Sequence, residues 1–271
     1  MDLMISLVGA PNNDDGGSNN EGAAYILFGS SSLAATIRMD GAGADITMLG
    51  ETVLDNLGKA VSGLGDINGD GFDDTIAGAY QNADTTLGAA YVVYGRVFGT
   101  ATTIDTQNSE QNVKLIGLSA QDYMSRGLSG AGDVNDDGMQ DILTISHAND
   151  VAGTSAGAAW IIYGSTSLAS SINVGNADVS LLGKAANSNF GSGVSGAGDV
   201  NNDGFPDMIF GEPYNDDIGA DGGQVYIVFG EGSLASEIRM SGADVDVTIQ
   251  AKAANDRLGT AVGGGRSRHG P

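Results

Sequence analysis

The sequence of 271 residues predicts an all-β protein built from repeated four-stranded units. An acidic nine-residue segment begins at residues 66, 133 and 199, so the repeat step is 67 and then 66 residues. Short Val, Ile and Tyr runs bounded by Gly, Asn and Asp read as strands. The 44 glycines exclude long helices, because an interior Gly costs a helix about 1 kcal/mol relative to Ala.

Each repeat predicts four strands in a constant order. The first strand is rich in small residues and enters the acidic segment, as in 191–198, and the second leaves it, as in 207–211. Equivalent second strands are 74–78 and 141–145; the third, aromatic strands are 25–29, 91–95, 160–164 and 226–230; the fourth strands are 46–49, 113–116, 179–182 and, less regularly, 245–249. Small residues on the first strand suit the crowded axis of a radial array of sheets.

Composition limits the partners of the chain. A hydrophobic fraction of 41% supports a substantial core, and no stretch reaches the roughly 18 apolar residues of a membrane helix. Cysteine is absent, so thiols say nothing about the redox compartment. A net charge of −23 disfavours nucleic acid and anionic membranes as partners. A generic solubilising surface is the alternative explanation of this acidity.

The acidic segment has the oxygen spacing of a cation loop. Side-chain oxygens fall at positions 1, 3, 5 and 9, Gly stands at position 6, and a backbone carbonyl is expected at position 7, as a hard, flexible ion such as Ca²⁺ requires. The sequence predicts about three Ca²⁺ sites. The predicted ligands are Asp66, Asn68, Asp70, Phe72 and Asp74; Asp133, Asn135, Asp137, Met139 and Asp141; and Asp199, Asn201, Asp203, Phe205 and Asp207.

Two other types of loop share features of this segment: an EF-hand or dockerin-like calcium loop, and an Asx-rich turn without an ion. An EF-hand or a dockerin-like loop needs an acidic residue at position 12, but that position holds Ala77, Thr144 or Phe210. An Asx-rich turn without an ion would explain a single copy, whereas three copies in register favour a cation site. The position-6 glycines, Gly71, Gly138 and Gly204, are expected at positive φ.

A second group of acidic and amide residues follows each second strand. Its members are 12–15, 82–84, 149–150 and 215–217 with Asp221. They read as loops between the second and third strands, either as solvated hairpins, which we favour, or as a rim that faces a ligand or further cations.

Catalysis has little support in the sequence. Only His147 and His269 are candidate bases at neutral pH, and no thiol nucleophile is present. We interpret His147 as a loop residue and Trp160 as a core aromatic. The chain is predicted not to be an enzyme.

The residues around the loops resemble the FG-GAP repeat of integrin α-chains and of many bacterial surface proteins. The flanks that carry this resemblance are Phe190-Gly191, Gly211-Glu212-Pro213, Leu57-Gly58, Gly78-Ala79-Tyr80 and Gly9-Ala10-Pro11. The resemblance covers 5–263 and implies a β-propeller of four-stranded blades, with Ca²⁺ in the hairpin between the first two strands. The third unit departs from the pattern, because Arg126-Gly127 and Ser146-His147-Ala148 stand where an aromatic-Gly pair and a Gly-Ala-Pro are expected.

The repeats predict one propeller domain over 1–265. Its units lie near 1–56, 57–125, 126–189 and 190–257, and 258–263 reads as a further first strand. Three complete units and a split terminal blade make about four blade equivalents, which we expect to be an open arc of a larger propeller. The basic tail 266–271 lies outside the repeat, and no leader is visible, so we expect an internal piece of a longer exported protein.

The expected function is a calcium-binding propeller module for adhesion or recognition in an exported bacterial protein. The expected location is extracellular or at the cell surface, and the expected partners are a protein or glycan ligand and other domains of a longer chain. The alternative is the non-catalytic propeller region of a secreted hydrolase, phospholipase-like or active on polysaccharides.

Overall fold

The computed structural model describes residues 5–14, 20–29, 36–39, 43–81, 87–96, 102–242 and 244–264. The described chain consists of strands, loops and one short 3-10 turn at Val174–Asn176. The strands are β1 (Ile5–Ala10), β2 (Ala23–Phe28), β3 (Ile46–Leu49), β4 (Ala60–Gly65), β5 (Asp74–Ala79), β6 (Ala89–Val93), β7 (Thr102–Asp105), β8 (Val113–Ile116), β9 (Leu128–Gly132), β10 (Asp141–Ser146), β11 (Ala158–Ile162), β12 (Ser171–Asn173), β13 (Val179–Leu182), β14 (Gly193–Gly198), β15 (Asp207–Glu212), β16 (Gln224–Val228), β17 (Glu237–Arg239) and β18 (Val247–Gln250).

The strands form four separate sheets that correspond to the predicted repeats. From the inner to the outer edge, the sheets are β1-β2-β3-β7 (blade 1), β4-β5-β6-β8-β12 (blade 2), β9-β10-β11-β13-β17 (blade 3) and β14-β15-β16-β18 (blade 4). Consecutive strands of each repeat pair antiparallel, so every repeat folds as a meander. The predicted all-β fold of four-stranded propeller blades is confirmed.

The outermost strands β7, β12 and β17 were not predicted. Each belongs to the connector of one repeat and pairs in parallel with the fourth strand of the preceding blade, as β12 does with β8. These strands have only three or four residues, and their sequences lack an apolar run, so the chain carried no strand signal there. Each connector therefore fastens its own blade to the outer edge of the previous one.

The core lies between the blades. Every residue of β5 and β10 is buried, because these strands have a neighbouring blade on each face. Ile142 packs with blade 2 and the adjacent Leu143 packs with blade 4. Trp160 is 2% exposed in the cluster between blades 2 and 3, which confirms it as a core aromatic. Burying a side chain of this kind stabilises the fold by about 2 kcal/mol, so the blades hold together through their faces.

The inner strands approach one another closely, as their small residues predict. A Cβ atom added to Gly130 would lie 3.1 Å from the Leu64 carbonyl oxygen, and one added to Gly196 would lie 2.7 Å from the Gly130 carbonyl oxygen. A separation of 2.7 Å is shorter than Cβ atoms in proteins show, so a side chain at Gly196 would force its surroundings to move. Glycine at these positions lets the inner strands of neighbouring blades meet.

Residues 258–264 lie on blade 4 where the inner strand of a further blade would begin. A parallel bridge joins Gly223 to Leu258, as another joins Gly22 to Leu57 at the start of blade 2. Strand β1 pairs with the aromatic strand β2, as the second strands β5, β10 and β15 pair with theirs, and it forms the edge of its sheet. Residues 258–264 do not belong to that sheet. Between these described segments, the pairing that would close a four-bladed ring is absent, which agrees with an open arc. The tail 266–271 lies outside the described residues.

Candidate functional site

The three predicted cation loops join the inner strand of a blade to its second strand. They connect β4 to β5, β9 to β10 and β14 to β15, and each begins beside an irregularity in the strand register. The residue before each loop is a glycine at positive φ, as expected where a bulge redirects the chain. Strands on both sides confirm that these loops are not EF-hands.

The carboxylate at position 1 is held by backbone donors of its own loop. Asp66 Oδ1 accepts hydrogen bonds from the N–H groups of Gly69 at 2.7 Å and Asp70 at 3.1 Å, and Oδ2 accepts one from Gly71 at 2.8 Å. Asp133 and Asp199 accept equivalent bonds from positions 5 and 6 of their loops. Each first carboxylate is therefore fixed in the concave side of its turn.

The side chains at positions 3 and 5 bond to each other. Asn68 Nδ2 donates to Asp70 Oδ2 at 3.1 Å, and the equivalent distances are 2.9 Å in the second loop and 2.7 Å in the third. The backbone N–H at position 7, from Phe72, Met139 or Phe205, donates to the position-5 carboxylate at 2.9 Å in all three loops. Ligation by the position-7 carbonyl stays a prediction.

The carboxylate at position 9 is buried beneath the loop. Asp74, Asp141 and Asp207 are each 0% exposed. Their Oδ2 atoms accept from the N–H of position 2, at 2.9, 2.8 and 2.6 Å. Their Oδ1 atoms accept from the N–H of the glycine that follows the aromatic strand: Gly95, Gly164 and Gly230, at 2.7, 2.9 and 3.0 Å.

Sequence reasoning missed this link to the aromatic strand. The signal was present, because that glycine follows the position-9 aspartate by 21 residues in blade 2 and by 23 in blades 3 and 4. One buried carboxylate thus joins three parts of a blade: the loop, the second strand and the end of the third strand.

Burial makes the position-9 carboxylates weak acids. Loss of hydration, reinforced by the neighbouring Asp70 and Asp66 charges, raises the pKa of Asp74 to about 6. The same causes raise the pKa of Asp141 to about 7 and raise that of Asp207. Among the described residues, none of the ion pairs formed by Lys or Arg involves a loop carboxylate. In the described part of the chain, the negative charge of the loop carboxylates is therefore not balanced by an ion pair with Lys or Arg.

The loop geometry is that of hydrogen-bonded Asx turns. Across the described ranges, no three His, Cys, Asp or Glu side chains converge as a metal-ligand cluster. The donor set nevertheless suits Ca²⁺, since a carboxylate accepts about four bonds and each position-5 carboxylate uses only part of that capacity within its loop. Assembly of a complete cage would require the position 3 to position 5 bond to open, and the ligand set stays a prediction.

The backbone of each cation loop is left-handed at two positions, 6 and 4. Gly71, Gly138 and Gly204 have φ of 90°, 91° and 102°, which confirms the predicted turn. Position 4 is also left-handed, with φ of 75° at Gly69, 60° at Asp136 and 61° at Asn202. Gly, Asp and Asn are the residues that tolerate this region, so position 4 is chosen for its backbone rather than for a side-chain ligand.

The second acidic group forms hairpin loops. Asp14, Asp150 and Asp216 each accept a bond from a backbone N–H five or six residues later, at 2.6, 2.7 and 2.9 Å. This capping role favours the solvated-hairpin interpretation over a second cation site. Residues 82–84 and Asp15 lie outside the described residues.

Further aspartates cap the ends of the third strands. Asp45, Asp178 and Asp246 accept from the N–H groups of Phe28, Tyr163 and Phe229, at 2.7 to 2.8 Å. Much of the excess of Asp in the sequence thus satisfies backbone donors at strand ends, which a pattern of metal loops alone did not explain.

Comparison with known proteins agrees with this architecture. The sequence profile of the FG-GAP repeat matches residues 190–228, which contain the third loop and the first three strands of blade 4. A stretch of 106 residues is 34% identical to integrin alpha pat-2 of Caenorhabditis elegans. That match covers 37% of this chain and 8% of the integrin, so the chain corresponds to a small part of that relative.

The FG-GAP match in blade 4 and the partial similarity to an integrin α-chain agree with the FG-GAP β-propeller that the resemblance predicted. In the described part of the chain, no helix has the length and apolar character needed to cross a membrane.

Proposed function

We propose that the chain is a calcium-binding β-propeller module that serves adhesion or recognition outside the cell, as part of an exported bacterial protein. The observation that carries the proposal is the threefold recurrence of one loop, with two carboxylates at positions 1 and 5 above a buried third carboxylate at position 9. A divalent cation would neutralise this cluster, and its oxygen donors are those that Ca²⁺ prefers.

Calcium would act here as a structural ion. Each loop joins the two innermost strands of a blade, and its position-9 carboxylate reaches the third strand, so binding would tighten three strands at once. An ion that binds only the folded state stabilises it by about 2.7 kcal/mol per site at a hundredfold excess over the dissociation constant. Extracellular Ca²⁺ levels suit sites of modest affinity.

The recognition role draws on the type of fold rather than on a reaction centre. Part of this chain is similar to a protein that is named as an integrin. The loops at both edges of the blades are the surfaces that we propose contact a ligand. We propose a protein or glycan as the ligand and a non-catalytic role for the module.

Isothermal titration with Ca²⁺ and thermal melts with and without chelator test the metal part. We expect three bound ions per chain and a melting temperature that falls when the ions are removed. Absence of Ca²⁺ uptake, together with an unchanged melt in chelator, would show that the loops are plain Asx turns.

The recognition part needs a separate assay. Beads coated with the calcium-loaded chain should adhere to cell surfaces, while beads coated with heat-unfolded chain should not. Equal retention of the two kinds of bead would contradict a recognition role, whatever the titration shows.

A further inference from the structure

The two departures of the third unit from the repeat pattern meet in space. Arg126 precedes β9 and His147 follows β10, and these antiparallel strands bring both residues to the blade edge opposite the cation loop. The Arg126 guanidinium Nη1 lies 3.1 Å from His147 Nε2. The two departures lie 21 residues apart in the sequence and form one side-chain contact.

A cluster of rings holds the two side chains in place. The guanidinium lies over the Tyr80 ring, with Cζ 5.7 Å from the ring centroid. The His147 ring stacks on Tyr123 at 6.3 Å with an interplanar angle of 19°, and Tyr123 contacts Tyr80 at 6.0 Å. Such packing limits the rotamers of Arg126, so its orientation is set before any ligand arrives.

His147 acts as an acceptor for Arg126. Burial, together with the nearby Arg126 charge, lowers the pKa of His147 to about 4, so the ring is neutral at neutral pH and its Nε2 accepts a hydrogen bond from a guanidinium N–H of Arg126. One of the five guanidinium N–H donors is used in this way. Among the described residues Arg126 forms no ion pair, although acidic residues outnumber basic ones 34 to 11 in the chain.

A pocket of about 330 Å³ opens beside this pair, between blades 3 and 4. Its polar lining consists of Arg126, His147, Asn189, Ser192, Tyr214 and Thr260. No acidic side chain of the described part of the chain lines it. The cavity lies at the small end of the size range of small-molecule pockets and combines a cation, an imidazole, an amide and the three hydroxyl groups of Ser192, Tyr214 and Thr260.

We propose that this pocket binds a single sugar acid at the end of an otherwise neutral glycan, with Arg126 as the bidentate partner of its carboxylate. The guanidinium fork matches a carboxylate, and the hydroxyl and amide groups match sugar hydroxyls. The Tyr214 ring is already in contact with the Arg257 guanidinium, whose Cζ lies 5.2 Å from the ring centroid. The proposal deepens the recognition role proposed above by naming its site and ligand class.

The overall charge narrows the ligand further. A chain with a net charge of −23 repels an extended polyanion, and screening over about 8 Å at physiological salt removes much of that repulsion for a compact ligand. One carboxylate on a neutral body meets the local charge of Arg126 without carrying further charges past the acidic surface. An acidic polysaccharide repeat does not have that advantage.

The test compares methyl β-glucuronoside with methyl β-glucoside, which differ in the carboxylate, by titration in calcium buffer. Wild-type protein should bind the glucuronoside at least tenfold more tightly. Arg126→Gln should abolish that preference, Arg126→Lys should retain only part of it, and Arg239→Gln should keep all of it. Arg239 is a matched control, because it is an exposed arginine on the outer strand β17.

Other outcomes would overturn the proposal. Equal affinity of wild-type protein for the two glycosides would exclude the carboxylate contact, and a preference that survives in Arg126→Gln would place it elsewhere. Binding of a blocked Gly-Asp-Gly peptide in place of the sugar would replace the sugar-acid class by an acidic peptide. Unchanged melts of the Arg126 variants separate lost binding from lost folding, and calcium titration reports the metal sites independently.

Discussion

Chelation of calcium is expected to change the sign of the pH dependence of stability. The folded pKa of Asp141, about 7, lies above its ordinary value of 3.8, so the metal-free folded state holds its proton more tightly than the unfolded chain does. This contribution is fully favourable below about pH 4 and is lost as the pH rises to about 7. In chelator, the free energy of unfolding should therefore fall over this range.

The raised pKa values of Asp141 and Asp74 set the size of this pH dependence of the free energy of unfolding. A rise in pKa from 3.8 to about 7 corresponds to about 4 kcal/mol for Asp141. Each proton held only by the folded state contributes a slope of about 1.4 kcal/mol per pH unit. Asp74, with a pKa of about 6, adds a second proton near pH 5, so the combined slope there approaches about 3 kcal/mol per pH unit. With calcium, the free energy of unfolding should instead rise as the pH rises, because the ion binds the ionised carboxylates and competes with protons.

Urea unfolding at a series of pH values, with calcium or with chelator, measures both slopes. The one tryptophan of the chain, Trp160, is 2% exposed and reports unfolding by fluorescence. Asp141→Asn should reduce the slope in chelator by about 1.4 kcal/mol per pH unit, whereas Asp136→Asn removes the same charge from an exposed site and should not. A flat or rising free energy in chelator between pH 4 and 7 would refute the reasoning.

Three further predictions concern single positions. Asp137→Ala should remove one of three calcium ions in a titration, while Asp136→Asn should leave three; alanine is a poor control at Asp136, because its φ of 60° would add about 1 kcal/mol of strain. Oxidation of a Val8→Cys, Val262→Cys double variant should give no disulfide within one chain, and an intramolecular disulfide would establish a closed ring. Glu212→Ala should lower the free energy of unfolding by about 3 kcal/mol or more in urea melts, because it leaves buried donors unpaired, and a loss below 1 kcal/mol would contradict that role of the carboxylate.

The network behind the last prediction shows what the repeat pattern concealed. Glu212 is 0% exposed and accepts bonds from the Lys184 N–H at 3.0 Å, Ser188 Oγ at 2.6 Å, Asn215 Nδ2 at 2.8 Å and Tyr226 OH at 2.5 Å. In sequence, this residue is only the middle of Gly211-Glu212-Pro213, a variant of Gly-Ala-Pro. Its partners come from the turn before β14, the loop after β15 and strand β16, and they are assembled only by folding.

Local sequence was sufficient for the four strands of each repeat, the loops and their order, but not for the outer strands β7, β12 and β17. Strand type follows from apolar runs, and the left-handed turn at Gly71 follows from the residue itself, because both depend on a few neighbouring residues. The fourth strands Ile46–Leu49, Val113–Ile116 and Val179–Leu182 have the predicted bounds. A fixed repeat step also identified the blade as the folding unit.

The tertiary structure decided the contacts between residues that lie far apart in the chain, both within one repeat and between neighbouring repeats. It showed the parallel outer strands, the bond from Gly95 to the buried Asp74, and, among the described strands, the edge position of β1 in its sheet. It also brought Arg126 and His147 together at the junction of blades. Such contacts join residues 21 or more positions apart, whereas a strand or a turn depends on a few neighbouring residues. The sequence therefore determines the repeat, whereas the parallel outer strands, the buried Asp74 carboxylate and the pocket beside Arg126 depend on contacts that only the folded chain makes.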